Sequence, residues 1–341
     1  MVAKAWLSKE LKDKKVLCLA CAHACKLEPN AYGICGVRVN QDGELKLTVY
    51  GLAAAAHVDP VEKKPLFHFL PNSKVFSIGT VGCNLSCAFC QNWEISQHPQ
   101  THNYEVFGYD LPPKKVVSLA KEYECRSIAY TYNEPVVYFE YTYDTAKLAK
   151  EAGLKNIYVT SGYETRKAID KISPYLDAMN IDIKFFKDES YQKISGARLK
   201  PVLESIKYAH SKGIWIETTT LIIPGINDSD EELRDIAKFI ADLDPDIPWH
   251  ISRFHPDYKM LDRPPTPIKT LKRAYEIAKE EGLKYIYIGN YPDSDLESTY
   301  CPTCGFKVIE RDGYIGEKVI NHLTANGSCP KCDTNIAGIW K

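Results

Sequence analysis

Three cysteines, Cys83, Cys87 and Cys90, stand close together in the stretch VFSIGTVGCNLSCAFCQNW, just after a β-branched run and the turn residue Gly82. Thiolates are soft ligands suited to zinc, copper(I) or iron–sulfur clusters. The C-x3-C-x2-C spacing differs from the paired C-x2-C knuckles of zinc sites and from both common ferredoxin spacings. Three thiolates with no fourth nearby hold three corners of a cubane cluster and leave one iron open to a substrate. The competing reading is a zinc knuckle completed by His98, which the spacing disfavours.

The other cysteines fall into two further groups, with Cys125 alone between them. Cys18, Cys21, Cys25 and Cys35 form C-x2-C-x3-C-x9-C, with Gly33 and Gly36 around the last ligand. This pattern suits a four-thiolate zinc site or a three-plus-one iron–sulfur site, with zinc the first expectation. His23 is a further candidate ligand or a neighbour that supports the ligands. Cys301, Cys304, Cys329 and Cys332 form two C-x2-C knuckles, the pattern of a zinc ribbon or rubredoxin-like module holding zinc or a single iron. Asp333 occupies a position where the second knuckle would normally carry glycine. Cys125 reads as a small buried apolar side chain.

These ligands must be positioned by an ordinary globular chain of 341 residues, 45% hydrophobic and 26% charged. A net charge of −1 gives no field that would draw it to nucleic acid or to an anionic membrane. The first residues, MVAKAWLSKELKDKK, lack the apolar core of a signal peptide, and no apolar run reaches membrane-span length. The expected location is cytoplasmic, where cysteines serve as ligands more than as disulfides. Four segments are expected: a cysteine-rich metal-binding segment at 1–50, a lead-in segment at 51–74 whose residues 57–69 read as a loop or lead-in, a main domain at 75–292 and the cysteine module at 293–341. His57 and His68, in the lead-in, are expected to be solvated or in the core. In the main domain, strand-like runs at 75–81, 127–132, 156–160, 179–184, 214–223, 248–254 and 285–289 alternate with amphipathic helical patterns such as DEELRDIAKFIADL. Such alternation gives a parallel α/β sheet. Six βα units plus a last strand fall short of a closed eightfold barrel, so the expected fold is an open partial (β/α)6 TIM barrel. Its chemistry belongs at the carboxyl ends of the strands.

Cys83-x3-Cys87-x-Phe89-Cys90, with its aromatic before the third cysteine, resembles the signature of the radical S-adenosylmethionine (SAM) superfamily. The resemblance implies a partial barrel and a [4Fe-4S] cluster whose open iron is chelated by SAM. It also implies reductive cleavage of SAM to a 5′-deoxyadenosyl radical that abstracts hydrogen. Phe89 and the strand ends then become candidates for the SAM pocket. Asn133 and Glu134, in TYTYNEP, stand where the superfamily commonly has a Gly-Gly-Glu-like motif, and Glu134 suits the methionyl ammonium. Glu134 also reads as an acidic residue at a helix start. Thr160 and Ser161 suit a ribose or carboxylate, or form an ordinary capping turn. Asp182 and Lys184 share one strand face by alternation and resemble the Asp-Leu-Lys of glycyl-radical activating enzymes. Pro224 and Gly225 resemble the Val-Pro-Gly segment of the same enzymes, near the adenine. His255 falls where those enzymes have a histidine by the adenosine.

The whole chain resembles one subgroup, the radical SAM member of the AmmeMemoRadiSam system, often labelled pyruvate formate-lyase activating enzyme-like. The carriers are the first cysteine quartet with GICGVRVN, the EKKPL stretch, TYTYNEP and the terminal knuckles. The resemblance implies a low-potential electron donor of flavodoxin or ferredoxin type. It further implies a hydrogen donor that is a protein or a small molecule, and companion proteins of that system; nucleic acid and membrane are not expected partners. A different class, a non-catalytic iron–sulfur or zinc relay or a metal-bearing scaffold, would cleave no SAM.

Overall fold

Eight strands form the central sheet: β1 (Ala55–Pro60), β2 (Lys74–Gly79), β3 (Ser127–Tyr130), β4 (Lys155–Thr160), β5 (Ala178–Asp182), β6 (Trp215–Ile222), β7 (Trp249–Arg253) and β8 (Ile286–Gly289). The structure, a computed structural model, describes residues 2–313 and 318–341. Spatial order follows chain order from β1 to β8, and every neighbouring pair from β2 to β8 is parallel. The parallel strands are buried along most of their length, as a sheet covered on both faces requires. The helices α1 (Pro113–Glu122), α2 (Phe139–Glu151), α3 (Arg166–Ile172), α4 (Leu199–Ser211), α5 (Asp230–Leu243) and α6 (Ile268–Glu280) alternate with these strands. Ser229 caps α5 by accepting from the Glu232 N–H at 3.3 Å, and Gly213 ends α4 in the left-handed region at φ +75°. The seven residues of α3 are too few to show a clear apolar stripe in sequence.

The edge strands β1 and β8 are not paired with each other among the described residues, so the barrel is open. One expectation is corrected here. Residues 57–69 read in sequence as a loop or lead-in, yet Ala55–Pro60 runs antiparallel to β2 in an unbroken six-residue register. Its proline, which cannot donate to a ladder, sits at the last position of an edge strand, where the missing donor costs little. The sheet therefore begins at Ala55, ahead of the boundary expected at 75.

The chain between β1 and β2 enters the barrel. Buried Glu217 on β6 accepts from the Phe67 and His68 N–H groups at 2.9 and 2.8 Å and from the Trp215 indole at 3.1 Å. It also pairs with His250 at 2.7 Å. His68 is a core residue, bonded to Ala337 O and to the Tyr287 hydroxyl. Arg311 donates to Phe67 O at 2.6 Å and stacks on the Phe67 ring, so the C-terminal module is latched to the same segment. At the other end of the chain, small antiparallel sheets carry the first cysteine quartet. Arg38 joins them to α2 through a buried pair with Glu140 at 2.6 Å and a bond to Val137 O at 2.9 Å. Cys125 is buried in the main core. No described helix is long and apolar enough to cross a membrane.

Candidate active site

The loop after β2 carries Cys83, Cys87 and Cys90, and all three line one cavity of about 540 Å3. Gly82 opens the loop at φ +88°; a Cβ there would lie 2.6 Å from Cys35 O and Val37 Cγ1. Only glycine meets both demands without strain. Asn133 fixes the joint: its amide donates to Gly82 O at 2.6 Å and to Thr80 Oγ1 at 3.0 Å, and its oxygen accepts from Thr80 N. It is thus spent on holding the cysteine loop, although it also borders the cavity. The far side of the loop is pinned by Ser86 N and Ala88 N to Ser195 O and Ile194 O, both at 3.0 Å.

Among the described residues, no three of these sulfurs, with or without a histidine or carboxylate, come within 4.8 Å of one another. A closed zinc site requires thiolates about 3.8 Å apart, given a Zn–S bond of about 2.3 Å. Wider spacing fits a polynuclear cluster. Polar neighbours already attend the sulfurs: Leu85 N–H on Cys83, Ser195 Oγ beside Cys87 and Ser96 Oγ beside Cys90. Burial pushes the Cys87 thiol up to about 11, a penalty that bound metal cations reverse. His98 stacks instead on His102 with ring centres 4.0 Å apart.

Next to the cysteines, Glu134 is 5% exposed and fully engaged on one side. Its Oε1 accepts from Ser161 N and its Oε2 lies beside Thr160 Oγ1, each at 2.8 Å. Thr160 Oγ1 also lies 2.6 Å from Glu164 Oε1 and accepts from Gly162 N at 3.1 Å. A hydroxyl has one proton to give and two lone pairs. The arrangement balances when Glu164 is protonated and donates to Thr160, and Thr160 donates to an ionised Glu134. Burial, then the Glu134 charge, push Glu164 up to about 7, in keeping with that assignment. Burial also raises Glu134, with Lys184 working against it. Sequence reasoning missed Glu164; its i+4 spacing from Thr160 carries no signal outside a helix.

Asp182 and Lys184 line the cavity as a pair, Nζ to Oδ2 at 2.7 Å. Burial works against the Lys184 ammonium, but Asp182, the Cys87 sulfur and Glu134 outweigh it and hold its pKa above the usual value. Phe89 also lines the cavity, edge-on to Phe185, with Lys184 Nζ 5.8 Å from its ring centre. His255 stands at the rim, both ring nitrogens 3.4 Å from the amide of Gln91, itself a cavity residue. Pro224 and Gly225 are not among the residues lining the cavity. Asn227 turns their loop aside by bonding to Ile223 N, Lys184 O and Leu221 O, and Arg263 takes Pro224 O. Tyr132 adopts φ +70°, a conformation glycine takes freely, and its hydroxyl donates to Asp59. Asp59 also binds Lys63 and Lys64 at 2.8 Å each, which sets the EKKPL stretch against the cavity. These residues were hidden by the loop reading of 57–69, though Asp59 and Lys63 stand four apart.

The terminal cysteines behave differently. All four ligand sulfurs lie within 4.8 Å of one another, with Cys301–Cys332 at 3.5 Å and Cys304–Cys329 at 3.7 Å. That is the spacing of four thiolates around one ion. Asp333 supplies the left-handed turn at φ +60° that Gly305 supplies at +70° in the first knuckle. Cys18, Cys21, Cys25 and Cys35 surround a second, small cavity against the loop of Cys83. His23 is not among the residues lining that cavity and is bonded to Asn84 O at 2.7 Å.

Comparison with known proteins agrees with this geometry. The family model described as the Radical SAM superfamily matches residues 77–240. An uncharacterized protein of Methanocaldococcus jannaschii is 44% identical over 335 residues, 98% of either chain. The pyruvate formate-lyase 1-activating enzyme of Escherichia coli K12 is 23% identical over 224 residues, 60% of this chain and 89% of its own. Among solved structures, a radical SAM methyltransferase from Sphaerobacter thermophilus shares the fold, with TM-score 0.50 and 17% identity over 64% of this chain and 67% of that one.

Proposed function

Because this chain belongs to the radical SAM superfamily, we propose that Cys83, Cys87 and Cys90 hold a [4Fe-4S] cluster and that the adjoining cavity binds SAM. Bound there, cluster and SAM together supply a 5′-deoxyadenosyl radical, the hydrogen-abstracting agent. The remaining work falls to the chain's own residues. Glu134, ionised and oriented by Ser161 N and Thr160, accepts the methionyl ammonium through a charge-assisted hydrogen bond. Lys184, held by Asp182, offers the cation for the methionyl carboxylate. Phe89 closes the apolar side, and Asn133 keeps the cysteine loop at its angle to the strand ends. His255 and Gln91 guard the rim.

The observation that carries this reading is the convergence of three widely spaced cysteines, one anchored carboxylate and one largely covered ammonium on a single cavity. The E. coli relative, an activating enzyme of pyruvate formate-lyase 1, supports a protein as hydrogen donor; a small molecule is the other donor class. Either donor needs a low-potential one-electron reductant, and the terminal knuckles take zinc or a single iron.

The test is anaerobic reconstitution, reduction with dithionite, addition of SAM and chromatography for 5′-deoxyadenosine and methionine. Reductant-dependent 5′-deoxyadenosine is expected from the wild type and none from Cys87→Ala. A fully iron-loaded wild type that yields none, and whose spin-resonance signal ignores SAM, overturns the reading in favour of a relay or scaffold.

A further inference from the structure

We propose that Cys18, Cys21, Cys25 and Cys35 hold a second, polynuclear iron–sulfur cluster, set directly behind the loop of Cys83 and coupled to it through Asn84. Three features separate this site from a zinc knuckle. First, spacing: the terminal quartet gathers its sulfurs within 4.8 Å, whereas no three sulfurs of the first quartet do so, a property it shares with Cys83, Cys87 and Cys90. Within one molecule, the compact set is the mononuclear site and the wide sets are cluster sites.

Second, space. All four cysteines line a cavity of about 20 Å3. Four thiolates closed on zinc stand about 3.8 Å apart, in mutual contact, and leave no such room. Gly33 borders it, and a Cβ there would stand in ordinary contact, 3.8 Å from both the Cys25 and Cys35 sulfurs.

Third, an unspent donor. Asn84 is 1% exposed, lines this cavity, and its Nδ2 has no hydrogen-bond partner. The Cys21 sulfur lines the same cavity as this amide. A buried amide without a partner costs about 1–3 kcal/mol. Amide N–H groups aimed at ligand or bridging sulfur are the means by which proteins set cluster potentials.

The same residue joins the two sites. Asn84 follows Cys83 in the chain, its oxygen lies 3.9 Å from the Cys83 sulfur, and its backbone carbonyl is held by His23 from the first quartet. Gln100 bonds to both Ile34 O and Cys83 O. Ile34 also borders the cavity and is 54% exposed, so the outer edge of the site lies one side chain from solvent. The electron balance is simple. A reduced carrier of flavodoxin or ferredoxin type gives up one electron at this edge, and the cluster accepts it. The cluster then passes the electron across Asn84, with no atom transferred. This relay role rests on the proposed function; the cluster itself does not.

The experiment uses the full chain, reconstituted anaerobically with iron and sulfide. Cys87→Ala/Cys90→Ala removes two of the three thiolates of the other cluster. This variant is expected to keep about two to four irons with matching sulfide, and a reduced spin-resonance signal that SAM does not change. Zinc in their place, without sulfide, overturns the assignment whether or not the wild type cleaves SAM. Cys21→Ser/Cys35→Ser is expected to lose those irons; retaining them also overturns it. Should that variant not fold, Asn84→Ala keeps every thiolate and must shift the potential of the cluster held by the first quartet, and an unchanged potential refutes the role of Asn84. In doubly reduced wild type, the signal of this cluster is expected to be broader and faster relaxing than in Cys87→Ala/Cys90→Ala. Identical linewidth and relaxation overturn the coupling.

Discussion

Glu164→Gln isolates the buried proton beside Glu134, the carboxylate proposed to bind SAM. Thr160 Oγ1 has only one hydrogen to divide between Glu134 and Glu164, at 2.8 and 2.6 Å. Burial and the Glu134 charge raise Glu164 from 4.5 to about 7. A carboxyl whose folded pKa is raised stabilises the fold fully below its unfolded pKa, and that stability is lost as pH rises through the folded value. Between those two values each pH step costs about 1.4 kcal/mol, so the wild type should lose about 2–3 kcal/mol between pH 5 and pH 8. Glutamine keeps a donor toward Thr160 and does not titrate. With an unfolding entropy of about 2.1 cal/mol/K per residue over 341 residues, this is a change of about 3–4 °C. Scanning calorimetry of anaerobically loaded protein should therefore show the melting temperature of Glu164→Gln gaining about 3 °C on wild type from pH 5 to pH 8. SAM affinity at pH 6 should be unchanged, because glutamine imitates the protonated form. A pH-independent difference in melting, or a tenfold loss of SAM affinity at pH 6, would refute the assignment of the proton to Glu164.

Arg38→Met should cost about 3–5 kcal/mol by stranding Glu140, and adding Glu140→Leu should restore most of it, as thermal melts would show. Gly82→Ala forces a side chain into φ +88° and against Cys35 O, at a cost of about 1–3 kcal/mol of backbone strain alone. Iron analysis should find the cluster loop poorly loaded; full loading would mean the loop yields freely. Glu217→Ala leaves the Phe67 and His68 N–H groups unpaired, for about 2–6 kcal/mol and a matching fall in melting temperature. Cys304→Ser should release the terminal metal and lower the melting temperature while SAM cleavage persists. Lost cleavage at unchanged melting would make that metal an electron relay instead.

The sequence by itself determined whatever neighbouring residues encode. Cys83, Cys87 and Cys90 declare a shared loop by spacing, and the terminal knuckles declare a one-ion site in the same way. The alternation of β-branched runs with three- and four-residue apolar steps determined the order of strands and helices, and period two put Asp182 and Lys184 on one face. Tertiary structure decided what depends on distance across the chain. Ala55–Pro60 is a strand only because β2 offers it an edge. Pro224 and Gly225 share a motif with the pocket but not its wall, because Asn227 spends its amide on Lys184 O and Leu221 O. Glu164 meets Glu134 through Thr160 only after crossovers have brought separate strand ends together, and Asn84 shares a cavity with Cys21 only once the N-terminal segment has packed on the loop of Cys83. The physical reason is common to all of these. Periodicity and ligand spacing are local and survive in the unfolded chain. The burial, shared protons and sulfur-to-sulfur distances that give the site its chemistry exist only once the chain has closed around them.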